Sequence, residues 1–251
     1  MVELSVGMFA LLVAVGFLAG FVSAIAGSGG LIVLPVLLTV GVAPLNALAT
    51  NKFQSVFGTL SSALNFFRQG HIDLGSMKAS LIYAFIGASL GTLTVQQLDT
   101  ELLKAILPYV LIVLAVYVAL SPRMSDEDTE PRWPAARFDK IVGGGIGFYG
   151  GFLGPGMGSF FAVAFSSLRG FNLKRATAHT KPLVLITNTT SMVIFMLAGH
   201  VVWGLAIAMA VAQFVGARLG SQLVISKGAT LVQPVLVAVI MVLALKLLLF
   251  P

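Results

Sequence analysis

Long apolar runs with short polar interruptions dominate this chain. They predict helical segments at residues 5–26, 31–40, 47–68, 76–97, 102–120, 141–153, 157–169, 176–197, 202–224 and 229–250. A helix needs roughly 20 residues to cross about 30 Å of hydrocarbon. Three segments are too short to cross a bilayer alone, namely 31–40, 141–153 and 157–169. The pattern therefore predicts an all-α polytopic membrane protein with broken helices.

The two halves of the chain repeat one another. "GVAPLNALATNK" at 41–52 aligns with "GFNLKRATAHTK" at 170–181, and "GASLG" at 87–91 aligns with "GARLG" at 216–220. The offset is 129 throughout, and it gives 15 identities over residues 41–91 without a gap. Apolar composition alone would not bring Gly, His and Lys into one register, so we infer an internal duplication.

Basic residues in equivalent loops indicate that the repeats are inverted. The loop at 41–46 is uncharged whereas its counterpart at 170–175 is basic, and the comparison reverses between 69–77 and 198–203. Because short cytoplasmic loops are rich in Lys and Arg, loops 69–77 and 170–175 are expected inside and both termini outside. Each repeat is then a broken-helix hairpin plus three spanning helices. The total is about 8 transmembrane segments if each hairpin counts as one, or up to 10 if its helices are counted separately.

One long hydrophilic stretch separates the repeats. "SPRMSDEDTEPRWPAARFDK" at 121–140 is rich in proline and charge. It predicts a cytoplasmic linker between repeat 1 at 1–120 and repeat 2 at 141–251, within a single integral membrane domain at 1–251.

Glycine-rich stretches interrupt the two hairpins at corresponding places, "GSGG" at 27–30 and "GPGMGS" at 154–159. Non-helical backbone in a bilayer must face protein, water or ligand, and the N–H groups that open the next half-helix suit an anion. Close helix packing is the alternative explanation of such glycines. The residues that we assign here to a substrate site are Gly27, Ser28, Gly29, Gly30, Gly154, Gly156, Gly158 and Ser159.

A second symmetric pair is "ATNK" at 49–52 and "AHTKP" at 178–182. Pro182 suits the first position of a helix, with polar residues near the cap of that helix and of its counterpart. Lysines a short way inside the bilayer need a partner, or else they snorkel to the interface. The paired occurrence favours a positive, donor-rich cavity for a small anionic substrate. Its residues are Thr50, Asn51, Lys52, Thr180, Lys181 and Asn188.

Composition narrows the function further. The chain has 58% hydrophobic residues, 10% charged residues and no cysteine, with a mean hydropathy of +1.00. The net charge is +6, and the Lys and Arg residues stand singly at helix ends and in loops. This distribution indicates a protein of the lipid bilayer with basic cytoplasmic loops rather than a nucleic-acid-binding protein. No acidic residue lies deep in a segment, and no catalytic set, metal site or cofactor motif is visible, so we expect no enzyme. An intramembrane enzyme and a non-transporting scaffold remain the alternatives, and homo-oligomerisation is left open.

"GFVSAIAGSGGLIVLPVLLTVGVAPLNALATNK", together with "GFYGGFLGPGMGSFFAVAF" and "ATAHTK" in the second half, resembles the sulfite exporter TauE/SafE family. This family is also called the toluene sulfonate uptake permease family, and the likeness is greatest to its YfcA-like branch. It covers nearly the whole chain. The resemblance implies a bacterial inner-membrane transporter for sulfur-containing or organic anions such as sulfite, sulfoacetate or sulfonates. Many members have "GTS" where this chain has "ATNK" and "AHTK", so the resemblance leaves the substrate open.

Overall fold

The computed structural model describes residues 5–27, 29–120 and 127–227, and the regular structure of these residues is helical. The helices are α1 (Val6–Ala26), α2 (Gly30–Thr39), α3 (Pro44–Arg68), α4 (Lys78–Val95), α5 (Thr100–Leu120), α6 (Ala135–Phe138), α7 (Gly144–Phe152), α8 (Met157–Arg169), α9 (Leu173–Leu197) and α10 (Trp203–Lys227). The predicted segment at 229–250 lies outside the described residues.

Four of these helices are long and apolar enough to cross a membrane: Val6–Ala26, Lys78–Val95, Leu173–Leu197 and Trp203–Ser226. α3 has 25 residues, but it carries a row of buried polar side chains that includes Thr50, Gln54 and Ser61. The all-α, multi-pass class predicted from the apolar runs is confirmed.

The helix starts expected at Pro182 and at its counterpart are wrong. α9 begins at Leu173, where the Asn172 side chain accepts from the N–H of Arg175, and Pro182 lies inside the helix. α3 begins with Pro44 at its first turn. The helices begin at these upstream residues because Asn at the cap and Pro at the first position suit a helix start. Neighbouring groups in a membrane protein compensate for an internal proline. The motifs at 49–52 and 178–182 therefore lie in helix interiors rather than at N-termini.

The first helix of the second hairpin is longer than predicted. α6 leads through a π-helical turn at Asp139–Gly143 directly into α7, so the helix begins at Ala135, inside the stretch assigned to the linker. Ser80 on α4 donates a hydrogen bond to Asp139 in the π turn. Before α6 the linker is fastened to the loop after α8, because Thr129 N donates to Gly170 O at 2.7 Å and Trp133 N donates to Leu168 O at 3.0 Å.

Glycine faces join the first hairpin helix of each half to a helix of the other half. α1 packs on α10 and α7 packs on α4. A Cβ added at Gly147 would lie 2.7 Å from Ala84 Cα, and one at Gly20 would lie 2.8 Å from Gln213 Cγ. "GASLG" and "GARLG" form the matching faces of α4 and α10. Small residues four apart allow backbones to approach closely in a bilayer, which explains why both repeats carry this motif.

α3 and α9, which occupy equivalent positions in the two repeats, run antiparallel. Asn46 Nδ2, near the start of α3, donates to His200 O, just beyond the end of α9, at 2.9 Å. At the opposite end, residues 70–73 after α3 line one cavity with residues at the start of α9. This course supports the inversion expected from the charge asymmetry.

A matched glycine pair on α7 tests the packing. A Cβ at Gly147 meets the α4 backbone, whereas one at Gly145 meets nothing within 4 Å. Both replacements by alanine change helix propensity equally, so we expect Gly147→Ala to destabilise the protein by about 1–3 kcal/mol through overpacking and Gly145→Ala to leave stability unchanged or raised. Thermal unfolding in detergent measures both. Equal melting temperatures for the two variants would contradict this helix contact.

Candidate functional site

The tips of the two hairpins lie against one another. Gly27 ends α1 with φ +72°, and Gly156 caps α8 with φ +77°, a left-handed conformation that glycine adopts without strain. A Cβ added at Gly158 would lie 2.6 Å from Gly27 Cα, so only glycine fits this crossing. Ser159 Oγ donates to Ala26 O at 2.5 Å. The start of α8 therefore closes the end of α1.

The start of α2 lies in the same region. Gly29 packs against the Ala19 carbonyl, and a Cβ added at Gly30 would lie 3.3 Å from Pro155 Cα and 3.4 Å from Asn51 Nδ2. The Tyr149 hydroxyl donates to Pro155 O and holds the second tip. In this conformation the glycines serve the close packing of one tip on the other, and the polar groups that face them come from α3.

Lys52 is buried between the repeats. Its residue is 1% exposed, and Nζ donates to Gly150 O on α7 and to Asn188 Oδ1 on α9 at 3.4 Å. Gly154, with φ +94°, lies directly beside this ammonium group. A lysine of repeat 1 thus binds near the end of the broken helix of repeat 2.

Lys181 makes the reciprocal contact. It is 3% exposed, and Nζ donates at 3.1 Å to Ser23 O on α1. Ser23 and Gly150 each lie four residues before the left-handed glycine of their tip, Gly27 or Gly154. Both contacts place a cation near a helix C-terminus, where the helix dipole favours it. Snorkelling to the interface is excluded for both lysines by their burial.

The two buried ammonium groups have no carboxylate partner within the described residues. Both ion pairs found there, Lys104–Glu101 and Arg175–Asp128, join exposed side chains. Carbonyl and amide dipoles alone meet the two buried charges. An ionised group in a membrane interior is costly without a counter-charge and marks a functional position.

A buried polar atom without a hydrogen-bond partner lies near Lys52. Thr187 Oγ1 is buried without a hydrogen-bond partner in the described structure, and its methyl group faces Gly150. Beside it, Thr92 Oγ1 donates to Ser191 Oγ at 2.8 Å. Gln54 Oε1, Ser61 Oγ and Gln213 Oε1 are also buried and unpaired in the described structure, and the Gln213 side chain packs against Gly58 of α3. Such atoms are rare in folded proteins and indicate a water- or ligand-binding region.

The remaining predicted site residues are placed less centrally. Thr50 Oγ1 accepts from Val202 N at 3.3 Å, at the start of α10. Thr180 Oγ1 donates to Thr177 O of its own helix at 2.8 Å, and Asn51 Oδ1 accepts from Gln54 Nε2 at 3.5 Å. Ser28 lies outside the described residues.

Sequence reasoning missed the carbonyls of Ser23 and Gly150, because a main-chain acceptor leaves no signature in a sequence. It also missed the polar row of Thr92, Thr187 and Ser191. The spacing of four residues between Thr187 and Ser191 on one helix face was a usable signal for part of that row.

Comparison with known proteins agrees with this architecture. The sequence profile of the family described as "Sulfite exporter TauE/SafE" matches residues 12–247. The chain is 44% identical over 234 residues to "Probable membrane transporter protein YfcA" of Escherichia coli (strain K12), covering 93% of this chain and 87% of that protein. It is 39% identical to a "Probable membrane transporter protein" of Haemophilus influenzae, covering 94% of this chain and 92% of that one. No solved structure matches the chain.

Replacing either buried lysine by methionine tests whether the lysines are there for stability. An ammonium group at the centre of a membrane helix costs about 2.5–3.5 kcal/mol, whereas a hydrogen bond to a charged group returns about 1.5–3 kcal/mol. We therefore expect Lys181→Met, which removes one such bond, to melt in detergent at or above the native temperature, and Lys52→Met, which removes two, to melt close to it. The exposed Lys104→Met provides the baseline. A marked loss of stability would instead assign the lysines to helix capping alone.

Proposed function

The chain belongs to the sulfite exporter TauE/SafE family, and from this premise we propose that it is a secondary transporter for small anions, with its substrate site between the two repeats. Substrates of the expected kind are sulfite, sulfoacetate, sulfonates and related organic anions. The proposal also places the protein in the bacterial inner membrane with both termini outside the cytoplasm.

One observation carries this proposal, the pair of buried lysines without a carboxylate. Lys52 and Lys181 are 1% and 3% exposed, and each reaches across to the other repeat. An anion that binds between them supplies the missing charge. Unpaired hydroxyl and amide oxygens such as Thr187 Oγ1 are free to hydrogen-bond to water or to a protonated oxygen of the ligand.

The placement of the lysines also suggests how binding moves the hairpins. Each ammonium group holds a carbonyl near the tip of the opposite broken helix. An anion that competes for the ammonium groups weakens both contacts at once, and a ligand that binds one arrangement better than the other shifts the population towards it. Inverted repeats with broken helices that meet near the midplane are an architecture of secondary transporters.

The sidedness of the loops is the first test. Glu130 and Ser76 lie in the linker and in the loop before α4, while Ala43 and Ala198 lie at the opposite end of the α3–α9 pair, and all four are exposed. The natural sequence has no cysteine, so a single cysteine at each place can be labelled selectively. We expect an impermeant maleimide to label Ala43→Cys and Ala198→Cys in intact cells, and Glu130→Cys and Ser76→Cys only in inverted vesicles. Labelling of the linker from outside would contradict the proposed orientation.

Ligand-induced stabilisation is the second test. A ligand at 100 times its dissociation constant stabilises the folded state by about 2.7 kcal/mol, so purified protein should melt higher with the correct anion among sulfite, thiosulfate, sulfonates and carboxylates. Loss of one lysine should weaken binding by about 2–5 kcal/mol and remove the shift in Lys52→Met and Lys181→Met. The shift should persist in Lys104→Met, which changes an exposed residue paired with Glu101. An unchanged shift in the Lys52→Met, Lys181→Met double variant would refute the proposed site.

A further inference from the structure

The two ends of the α3–α9 pair differ in their contacts with the neighbouring loop. At one end, the loop after α9 is fastened to the first turns of α3. Asn46 Nδ2 donates to His200 O at 2.9 Å, and Val202 N donates to Thr50 Oγ1 at 3.3 Å. Val201, between these two contacts, is 7% exposed. We call this set of contacts the 46/200 gate.

The repeat offset of 129 identifies the counterparts at the other end. Asn46 and His200 correspond to Arg175 and His71, and Thr50 and Val202 correspond to His179 and Asp73. In the described structure their side chains bond elsewhere. Arg175 pairs with Asp128 of the linker at 2.9 Å and lies over the Phe171 ring. His179 Nδ1 donates to the carbonyl of Arg175 at 2.9 Å, and Asp73 Oδ1 accepts from Gly75 N at 2.9 Å. A cavity of about 330 Å³ lies between the loop after α3 and the start of α9, and all four residues line it.

The two loops begin with the same geometry. Gly70 and Gly199 have φ +74° and +75°. His71 N donates to Phe66 O at 3.0 Å, and His200 N donates to Phe195 O at 3.1 Å. The rings of each His–Phe pair lie 6.3 Å apart. The loops differ beyond these residues, because α10 begins at Trp203 whereas α4 begins only at Lys78, and they differ in their contact with the facing helix.

We propose that these two places are the alternating gates of the transporter, with the 46/200 gate closed in this structure and its counterpart, the 71/175 gate, open. This inference rests on the proposed transport function. When the 71/175 gate closes, Arg175 donates to His71 O as Asn46 does to His200 O. His179 accepts the N–H of Asp73 as Thr50 accepts that of Val202, because an imidazole that donates through Nδ1 keeps an acceptor at Nε2.

Asp128 of the linker holds the 71/175 gate open. It binds the guanidinium of Arg175 and accepts from Asn172 N at 2.7 Å. The Asn172 N–H and the Arg175 guanidinium lower the pKa of the Asp128 carboxyl, so it is ionised at neutral pH. Burial and the Lys174 ammonium lower the pKa of His71, so its ring is neutral and does not repel an approaching Arg175. Release of Arg175 from the linker is thus the step that frees it to close the gate.

Labelling of single cysteines tests the coupling without any substrate. Ile72 lines the cavity, and Val201 is its counterpart in the closed gate. The two side chains are equally buried, at 8% and 7% exposed, so the test measures how the maleimide rate of each cysteine changes when a gate contact is removed. Adding Asn46→Ala removes the Asn46–His200 bond and should shift the gate equilibrium about fivefold. Labelling at 201 should rise and labelling at 72 should fall. Thr190→Ala removes a bond of Thr190 within its own helix and should change neither rate.

A second variant changes the opposite gate, and the residue that it replaces is exposed. Asp128→Asn weakens the hold on Arg175 and should also lower labelling at 72 and raise it at 201. Independent rates at 72 and 201 in both variants would overturn the gate proposal while leaving the anion site untouched. Coupled rates without any anion-induced stabilisation would instead count against the substrate proposal and support the gates.

Discussion

A helix that ends inside a bilayer leaves carbonyl groups that hydrocarbon cannot satisfy, and this constraint governs the structure. α1 ends at the left-handed Gly27, and the left-handed Gly154 follows the end of α7 by two residues. Lys181 meets the end of α1 and Lys52 meets the end of α7. Each broken helix therefore receives a hydrogen bond from a lysine of the other half, in addition to the main-chain bonds within its own hairpin.

The same reciprocity connects packing with function. Glycine faces on α4 and α10 bring α7 and α1 close enough for the lysines of α3 and α9 to reach their carbonyls. The groups that bind the helix ends are lysines rather than neutral donors, so in the proposed transporter they also form the site for a negatively charged substrate. A substrate at such a site competes directly with an internal structural contact, which links ligand binding to the geometry of the hairpins.

The two ends of the α3–α9 pair are not equivalent, although the two halves of the chain resemble each other. The duplicated loops keep the same glycine and histidine geometry, but one end carries Asn46 and Thr50 where the other carries Arg175 and His179. Uncharged residues bond directly across the first end. At the second end the linker takes up the charge of Arg175. A residue of the linker therefore contacts one end of the α3–α9 pair.

The sequence by itself determined the helical class and the family and predicted a duplication, because hydrophobic length, charge and glycine patterns are local properties of the chain. It identified Lys52 and Lys181 as a pair, but it placed them wrongly at helix starts, since the stronger caps at Pro44 and Asn172 act from several residues upstream. Only the tertiary structure decided that Lys52 binds Gly150 and that Lys181 binds Ser23. Main-chain carbonyls look alike in every sequence, and the one that a lysine reaches depends on how two distant helices cross.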